Sequence, residues 1–200
     1  MKNKNVQFAL LALFILVGGG LLYYGINGNS TETQGERTAQ KVEIIKYSDY
    51  QCPSCRHGYE LLKPLVEEYG DNVEIIYRHF PLSGFQYSRL AAHVAEAARN
   101  QDKFQEMHVL IFESQEEWSQ GGAEEYFMGF AEEIGLDMEQ FREDVESEEI
   151  AEKVERDRQE GIRRTVNATP TYFMNGQKIQ QSPQTYEQFK ALVELYMYRS

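Results

Sequence analysis

Residues 42–80 read VEIIKYSDYQCPSCRHGYELLKPLVEEYGDNVEIIYRHF, and the succession of patterns within them decides the fold class. The run from Val42 to Ser48 is β-branched and aromatic, as expected of a buried strand. Beyond Cys55, Leu61, Leu62, Leu65, Val66 and Tyr69 recur at i, i+3 and i+4, which predicts a helix that stops at Gly70. Pro64 inside it should kink the axis. Asp71-Asn72 makes a turn, and Val73 opens a second apolar strand. Strand, helix and strand at this spacing form a βαβ unit with a parallel pair.

From Ser88 to about Val166 the pattern is helical. Leu90 to Ala98 is alanine-rich. Phe104, Met107, His108 and Ile111 share one helical face, and Phe127, Phe130, Ala131 and Ile134 share another. Asp137 can cap a short helix, and Ile150 to Arg164 continues with Glu–Lys and Glu–Arg pairs at i,i+4. Then TPTYFMNGQKIQ (169–180) gives a strand, an Asn175-Gly176 hairpin turn and a second strand. Gln184 to Tyr198 closes the chain as a helix with Tyr186, Phe189, Leu192, Val193 and Tyr196 inward. The order is βαβ, several helices, then ββα.

The N-terminal residues differ in kind. Lys2 and Lys4 precede an uncharged, mostly apolar run from Phe8 to Ile26, which at helical rise covers about 28 Å, close to the hydrocarbon thickness of a bilayer. The lysines place the N-terminus in the cytoplasm. No A-x-A-like cleavage site follows, so residues 1–26 read as a transmembrane signal anchor; the alternative is a signal peptide whose cleavage leaves a secreted or periplasmic protein. Residues 27–40, rich in Gly, Ser, Thr, Asn and Gln, read as a flexible linker. Residues 41–200 form the folded domain, with the helical insertion at about 85–166. In either reading the body lies outside the cytoplasm, where thiols can become and stay disulfides. The net charge of -12 arises from this body, since Lys2, Lys4 and Arg37 outweigh Glu32 and Glu36 in the N-terminal part; the body has no basic patch for phosphates, which argues against a nucleic-acid partner.

Cys52 and Cys55 are the only cysteines. Cys52 falls where the first strand meets the helix, as N-cap with Pro53 at the first helical position. Free N–H groups and the positive helix end there favour a thiolate. Cys55, one turn on, is close enough to bridge and more enclosed. That asymmetry suits thiol–disulfide exchange, with Cys52 exchanging with a partner sulfur and Cys55 resolving the mixed disulfide. A structural bridge closing so short a loop would remove little chain entropy. Zinc needs about four ligands and no second pair exists. Arg56 stands where covalent haem attachment requires His. No metal and no cofactor is expected. Thr169-Pro170 precedes a strand that can run beside Cys52, where a cis bond would present the Thr169 backbone to an extended peptide.

Four stretches, YSDYQCPSC, YRHFPL, AAHVAEAARNQDKFQEMHVLIFESQEEW and NATPTYFMNG, resemble the DsbA-like thiol–disulfide oxidoreductases of the thioredoxin superfamily, in particular the membrane-anchored bacterial kind. With the closing helix they cover nearly all of residues 42–200. The resemblance implies an α/β thioredoxin-like fold (βαβ … ββα) with an inserted helical domain. It implies Cys52 as nucleophile, Cys55 as resolving thiol, Pro53 and Ser54 as the inner motif residues, Pro170 as a cis-proline and Thr169 as a substrate contact. The implied partners are exported protein substrates and a membrane-embedded, quinone-coupled redox protein. Two departures stand out. Lys46, six residues before Cys52, replaces an acidic residue found in many relatives and favours thiolates. Ser54 stands where strongly oxidising relatives often carry His. The expected function is a disulfide-donating oxidase of exported proteins; the alternatives are a reductase or isomerase of the same fold and a non-catalytic extracytoplasmic binding or chaperone module.

The remaining conspicuous residues have simpler readings. His79, His93 and His108 are expected to pack or hydrogen-bond, and His57 lies near enough to the pair to influence its charge. Trp118 and the aromatic set from Tyr126 to Phe130 are expected in the core. The acidic run from Glu139 to Glu160 is expected to be a solvated helix face.

Overall fold

The structure, a computed structural model, describes residues 39–199. The expected membrane segment and nearly all of the linker lie outside the described residues. Among the described residues no helix is long and apolar enough to cross a membrane.

In chain order the elements are β1 (Val42–Ser48), α1 (Pro53–Tyr69), a 3-10 turn (Gly70–Asn72), β2 (Val73–His79), α2 (Ser88–Arg99), α3 (Phe104–Glu113), α4 (Gln115–Trp118), α5 (Ala123–Glu133), α6 (Met138–Glu146), α7 (Glu148–Arg163), β3 (Thr171–Met174), β4 (Gln177–Lys178) and α8 (Tyr186–Met197). The sheet order is β2-β1-β3-β4. β2 runs parallel to β1, in register from Val42 opposite Val73 to Ser48 opposite His79. β3 is antiparallel to β1, with Tyr172 opposite Lys46, and β4 is antiparallel to β3. β1 is therefore central and covered on both faces, which is why its sequence runs apolar instead of alternating.

Local chemistry sets the boundaries. Gly70 ends α1 at φ 51°, a conformation that glycine adopts without Cβ strain. α1 runs unbroken through Pro64. Asn175 and Gly176 take φ 46° and 77°, the pair of positive angles that a tight hairpin requires. The Asn175 side chain and backbone then bond to Glu43, fastening the hairpin to β1. The strand after this turn is shorter than the sequence pattern implies: only Gln177 and Lys178 are paired residues of β4.

Three apolar clusters follow from this layering. Ile44, Leu62, Leu65, Met174, Phe189 and Val193 fill the space between one sheet face, α1 and α8. Ile45, Tyr47, Phe80, Val166 and Phe173 fill the other. Gly161 of α7 closes on that second face; a Cβ there would lie 2.7 Å from Phe80. The third cluster is the core of the helical insertion, including Phe112, Trp118, Phe127 and Phe141, and it continues into Tyr50, Cys52, Cys55 and Tyr59. The cysteines thus sit at the seam between the βαβ unit and the insertion.

Two expectations need correction. Tyr126 is 40% exposed, because the inward stripe of α5 runs through Ala123, Phe127, Phe130 and Ala131 and leaves Tyr126 at its edge. The acidic run is not wholly solvated: Asp157 is buried and lies 3.6 Å from Arg78, and Tyr47 donates to Glu160 at 2.8 Å.

Candidate active site

Cys52 is the N-cap of α1, with extended backbone angles and Pro53 opening the first turn. Its carbonyl accepts from the N–H groups of Cys55 and Arg56, so the helix begins at the cysteine itself. Pro53 has no N–H to leave unsatisfied there. The two thiols are free and unequal in environment. Cys52 is 7% exposed and Cys55 is fully enclosed.

That difference splits their acidities. The Cys55 thiol beside it, the Thr169 side chain and the N–H groups of Cys55 and Ser54 outweigh burial and bring the Cys52 thiol down to about 6. The buried Thr169 hydroxyl makes no hydrogen bond among the described residues. Cys55 moves the opposite way. Burial pushes its thiol well up, and the neighbouring Cys52 adds to that, while the Lys46 charge and the Asp49 N–H oppose it. The Asp49 N–H points at Cys55 Sγ at 3.4 Å. One anion on Cys52, supported by a proton held on Cys55, is the arrangement this geometry favours.

The Thr169–Pro170 bond is cis. Thr169 places its carbonyl 3.5 Å from Cys52 Sγ. Gly58, two turns into α1, makes the approach of this loop possible: a Cβ there would lie 2.2 Å from the Tyr172 hydroxyl and 3.5 Å from Pro170. Two clefts meet at Pro53, the residue after Cys52. One, of about 340 Å³, is lined by Ser54, Gly58, Pro170, Pro183 and Gln184. The other, of about 420 Å³, lies toward the insertion, along Gln51, Arg56, Gln115 and Glu116. Pro53 and His57 border both. His57 is held on that ridge by the Gln184 carbonyl, 2.9 Å from Nε2.

The structure brings Cys52, Pro53, Ser54, Cys55, Thr169 and Pro170 together at one point, although 114 positions separate Cys55 from Thr169. It also adds residues that sequence reasoning missed. The Asp49 carboxylate accepts from the Gln51 and Leu82 N–H groups and from the Ser88 hydroxyl, tying the cysteine loop to the β2–α2 connection. Gln115 donates to the carbonyls of Tyr50 and Cys52, fastening the same loop to the insertion. A polar residue in a loop or a short helix gives no periodic signal, so neither was readable. Lys46 is fully buried under the pair and donates to the Cys55 carbonyl at 3.2 Å. The histidines take structural places. His79 meets Glu96 at 2.6 Å, His108 meets Tyr50 at 2.7 Å and His93 meets the Val145 carbonyl at 3.1 Å.

A family model described as Thioredoxin (Thioredoxin_4) matches residues 29–195. The chain belongs to the thioredoxin family. The "Probable disulfide bond formation protein D" of Bacillus anthracis is 32% identical over 201 residues, covering 88% of this chain and 91% of that one. The "Na(+)/H(+) antiporter NhaA 1" of Salinispora arenicola is 30% identical over 154 residues, and this chain spans only 23% of its length. Among solved structures, a thioredoxin-like oxidoreductase from Silicibacter pomeroyi DSS-3 superposes with TM-score 0.66 at 27% identity, over 78% of this chain and 86% of that one. Wolbachia pipientis alpha-DsbA1 shares the fold, with TM-score 0.68 at 19% identity over 78% and 86%. The fold of this thioredoxin-family chain is DsbA-like, and its Cys52–Cys55 dithiol in that fold supports a catalytic thiol–disulfide oxidoreductase.

Proposed function

We propose that the chain is a disulfide-donating oxidase of exported proteins, held at the outer face of the cell membrane by residues 1–26 through the linker 27–40. Cys52 is the nucleophile and the sulfur a substrate attacks, Cys55 is the resolving thiol, and Thr169 with Pro170 receives the extended substrate. The observation that carries the reading is the Cys52 thiol at about 6 on a helix N-terminus beside an enclosed Cys55. A stable thiolate stabilises the reduced form, so the disulfide is readily given away. The corresponding cysteine ionises near 7 in thioredoxin and near 3.5 in DsbA, with potentials of about -270 and -120 mV. The downward shift of the Cys52 thiol is in the direction that favours giving the disulfide away. The Bacillus anthracis relative, named for disulfide bond formation over nearly its whole length, supports the same direction. A membrane-embedded redox protein outside the cytoplasm returns the electrons to an acceptor.

In donation, a substrate thiolate attacks Cys52 Sγ, the Cys52–Cys55 bond breaks, and the electron pair leaves on Cys55. A second substrate thiolate then attacks the substrate sulfur, forms the substrate disulfide and releases Cys52 as thiolate. Replacing Cys55 with Ala stops intramolecular closure. The variant should accumulate mixed disulfides between Cys52 and exported proteins, and wild-type Cys52–Cys55 should be mostly oxidised in cells. Absence of adducts would contradict the exchange chemistry, and a mostly reduced pair would contradict the direction.

A further inference from the structure

A buried ammonium is unfavourable unless opposite charge or full hydrogen bonding offsets it. Lys46 is completely enclosed in the central strand. Its Nζ donates to the Cys55 carbonyl, and the Phe112 ring lies 4.9 Å away. Among the described residues it forms no ion pair with a carboxylate. The groups around it come from four elements. Tyr77 of β2 and Tyr172 of β3 are its cross-strand partners. His108 of α3 and the two cysteines at the start of α1 feel its charge or act on it. Burial holds Tyr77 up at about 12, raises Tyr172 further and pushes His108 well down, so all three stay neutral near pH 7. The sulfurs are the only neighbours in this group able to carry a negative charge there.

We propose that Lys46 is a positioning residue for the resolving thiol: its buried ammonium is the counter-charge that lets Cys55 leave, and attack, as a thiolate. When the Cys52–Cys55 bond breaks, the electron pair comes to rest on Cys55 Sγ, in a place where burial alone opposes an anion. The Lys46 charge offsets that burial without a proton having to move. In the reverse direction the same charge lowers the cost of the Cys55 thiolate that attacks Cys52 Sγ and expels the partner sulfur. A carboxylate at this position would act with the opposite sign. Burial brings Lys46 down to about 8, with both cysteines pulling it back up, so the charge is present near neutral pH and is lost on moderate alkalinisation.

This inference rests on Cys55 being the resolving thiol, and the test separates the two. Reduced full-length protein mixed with an aromatic disulfide releases two aromatic thiolates in turn. The first appears when Cys52 attacks, the second when Cys55 closes the intramolecular bond. At pH 7, Lys46→Met and Lys46→Gln should leave the first phase within about threefold and slow the second about tenfold or more, the effect of removing one nearby opposite charge. Lys46→Gln keeps a donor for the Cys55 carbonyl, so it separates charge from hydrogen bonding. The ratio of wild-type to variant second-phase rates should fall toward one as pH rises past about 8. A second phase in Lys46→Gln with the wild-type rate and pH profile would overturn the role of Lys46. No second phase in the wild-type protein would instead overturn Cys55 as the resolving thiol. If the variants do not fold, carbon-13 NMR of the wild-type lysines decides. Lys46 should titrate about one pH unit or more lower in the disulfide form than in the dithiol form, and equal midpoints would contradict the pairing.

Discussion

Two cysteines three positions apart differ because one caps the helix and the other lies inside it. Cys52 gathers donors from the helix start, while Cys55 is enclosed by the insertion core. The spacing and Pro53 made that asymmetry readable in the sequence. Lys46 was only half readable: its position six residues before Cys52 was plain, but the central place of β1 that buries it depends on pairing with β3, 126 positions away. A lysine brought down by burial from 10.5 to about 8 opposes folding wherever both states carry the charge, that is below about pH 8. The gap corresponds to roughly 3 kcal/mol. Lys46→Met should therefore make the reduced protein more stable at pH 7 in denaturant melts. The gain should shrink between about pH 8 and 10.5, where the folded wild-type lysine has already lost its proton and the unfolded one has not. A gain that stays constant across that window would mean burial does not shift this lysine.

At the scale of elements, the site is an intersection of α1, the loop before β3 and the insertion. Gly58 allows the first two to meet. Its would-be Cβ collides with the hydroxyl at the tip of the Tyr172 ring, and that ring is fully packed, so the core around it must shift. Gly58→Ala should cost about 1–3 kcal/mol, measured by urea unfolding, and should move Pro170 away from Cys52. Slower exchange with peptide substrates than with a small thiol would be the kinetic sign. Unchanged stability and peptide exchange would show that the contact is slack. The sequence marked Gly58 only as a glycine within a helix, a weak signal without the strand it faces. The βαβ unit, the Asn175-Gly176 turn and the closing helix were legible because each follows from local periodicity and turn chemistry. The two-residue length of β4 was not, since it depends on where pairing with β3 stops.

Across the whole domain, a buried polar network ties the sheet to the insertion. Glu96 of α2 accepts from His79 at the end of β2, from Arg99 on its own helix and from Lys153 of α7 at 3.0 Å. Burial alone would raise the Glu96 carboxyl; the His79 hydrogen bond and charge, with Lys153 and Arg99, instead hold it well below the usual range. A depressed carboxyl contributes stability above its ordinary value near 4.5 and loses it as pH falls below. Glu96→Gln should destabilise the domain by about 3–5 kcal/mol at pH 7. In acid melts the wild-type and variant curves should begin to approach each other below about pH 4.5 and meet only where the folded carboxyl itself takes up its proton. Parallel curves throughout would mean the network adds nothing that depends on charge. The composition revealed an acidic body, yet gave no sign that Glu96 and Asp157 turn inward, because both sit on helices that carry many charges and the sequence does not mark which of them are buried.

Disulfide exchange at this site depends on the Cys52 sulfur being an anion near neutral pH. Thiolate absorbance of the reduced full-length protein, titrated from pH 3 to 10 with Cys55→Ala as the assignment control, tests this directly. The wild-type curve should show a first midpoint near 6, with Cys55 ionising far above it. Cys55→Ala should move the first midpoint upward, because the largest single support of the anion has gone. A single transition near the ordinary value of 9.0 for both thiols would contradict the account.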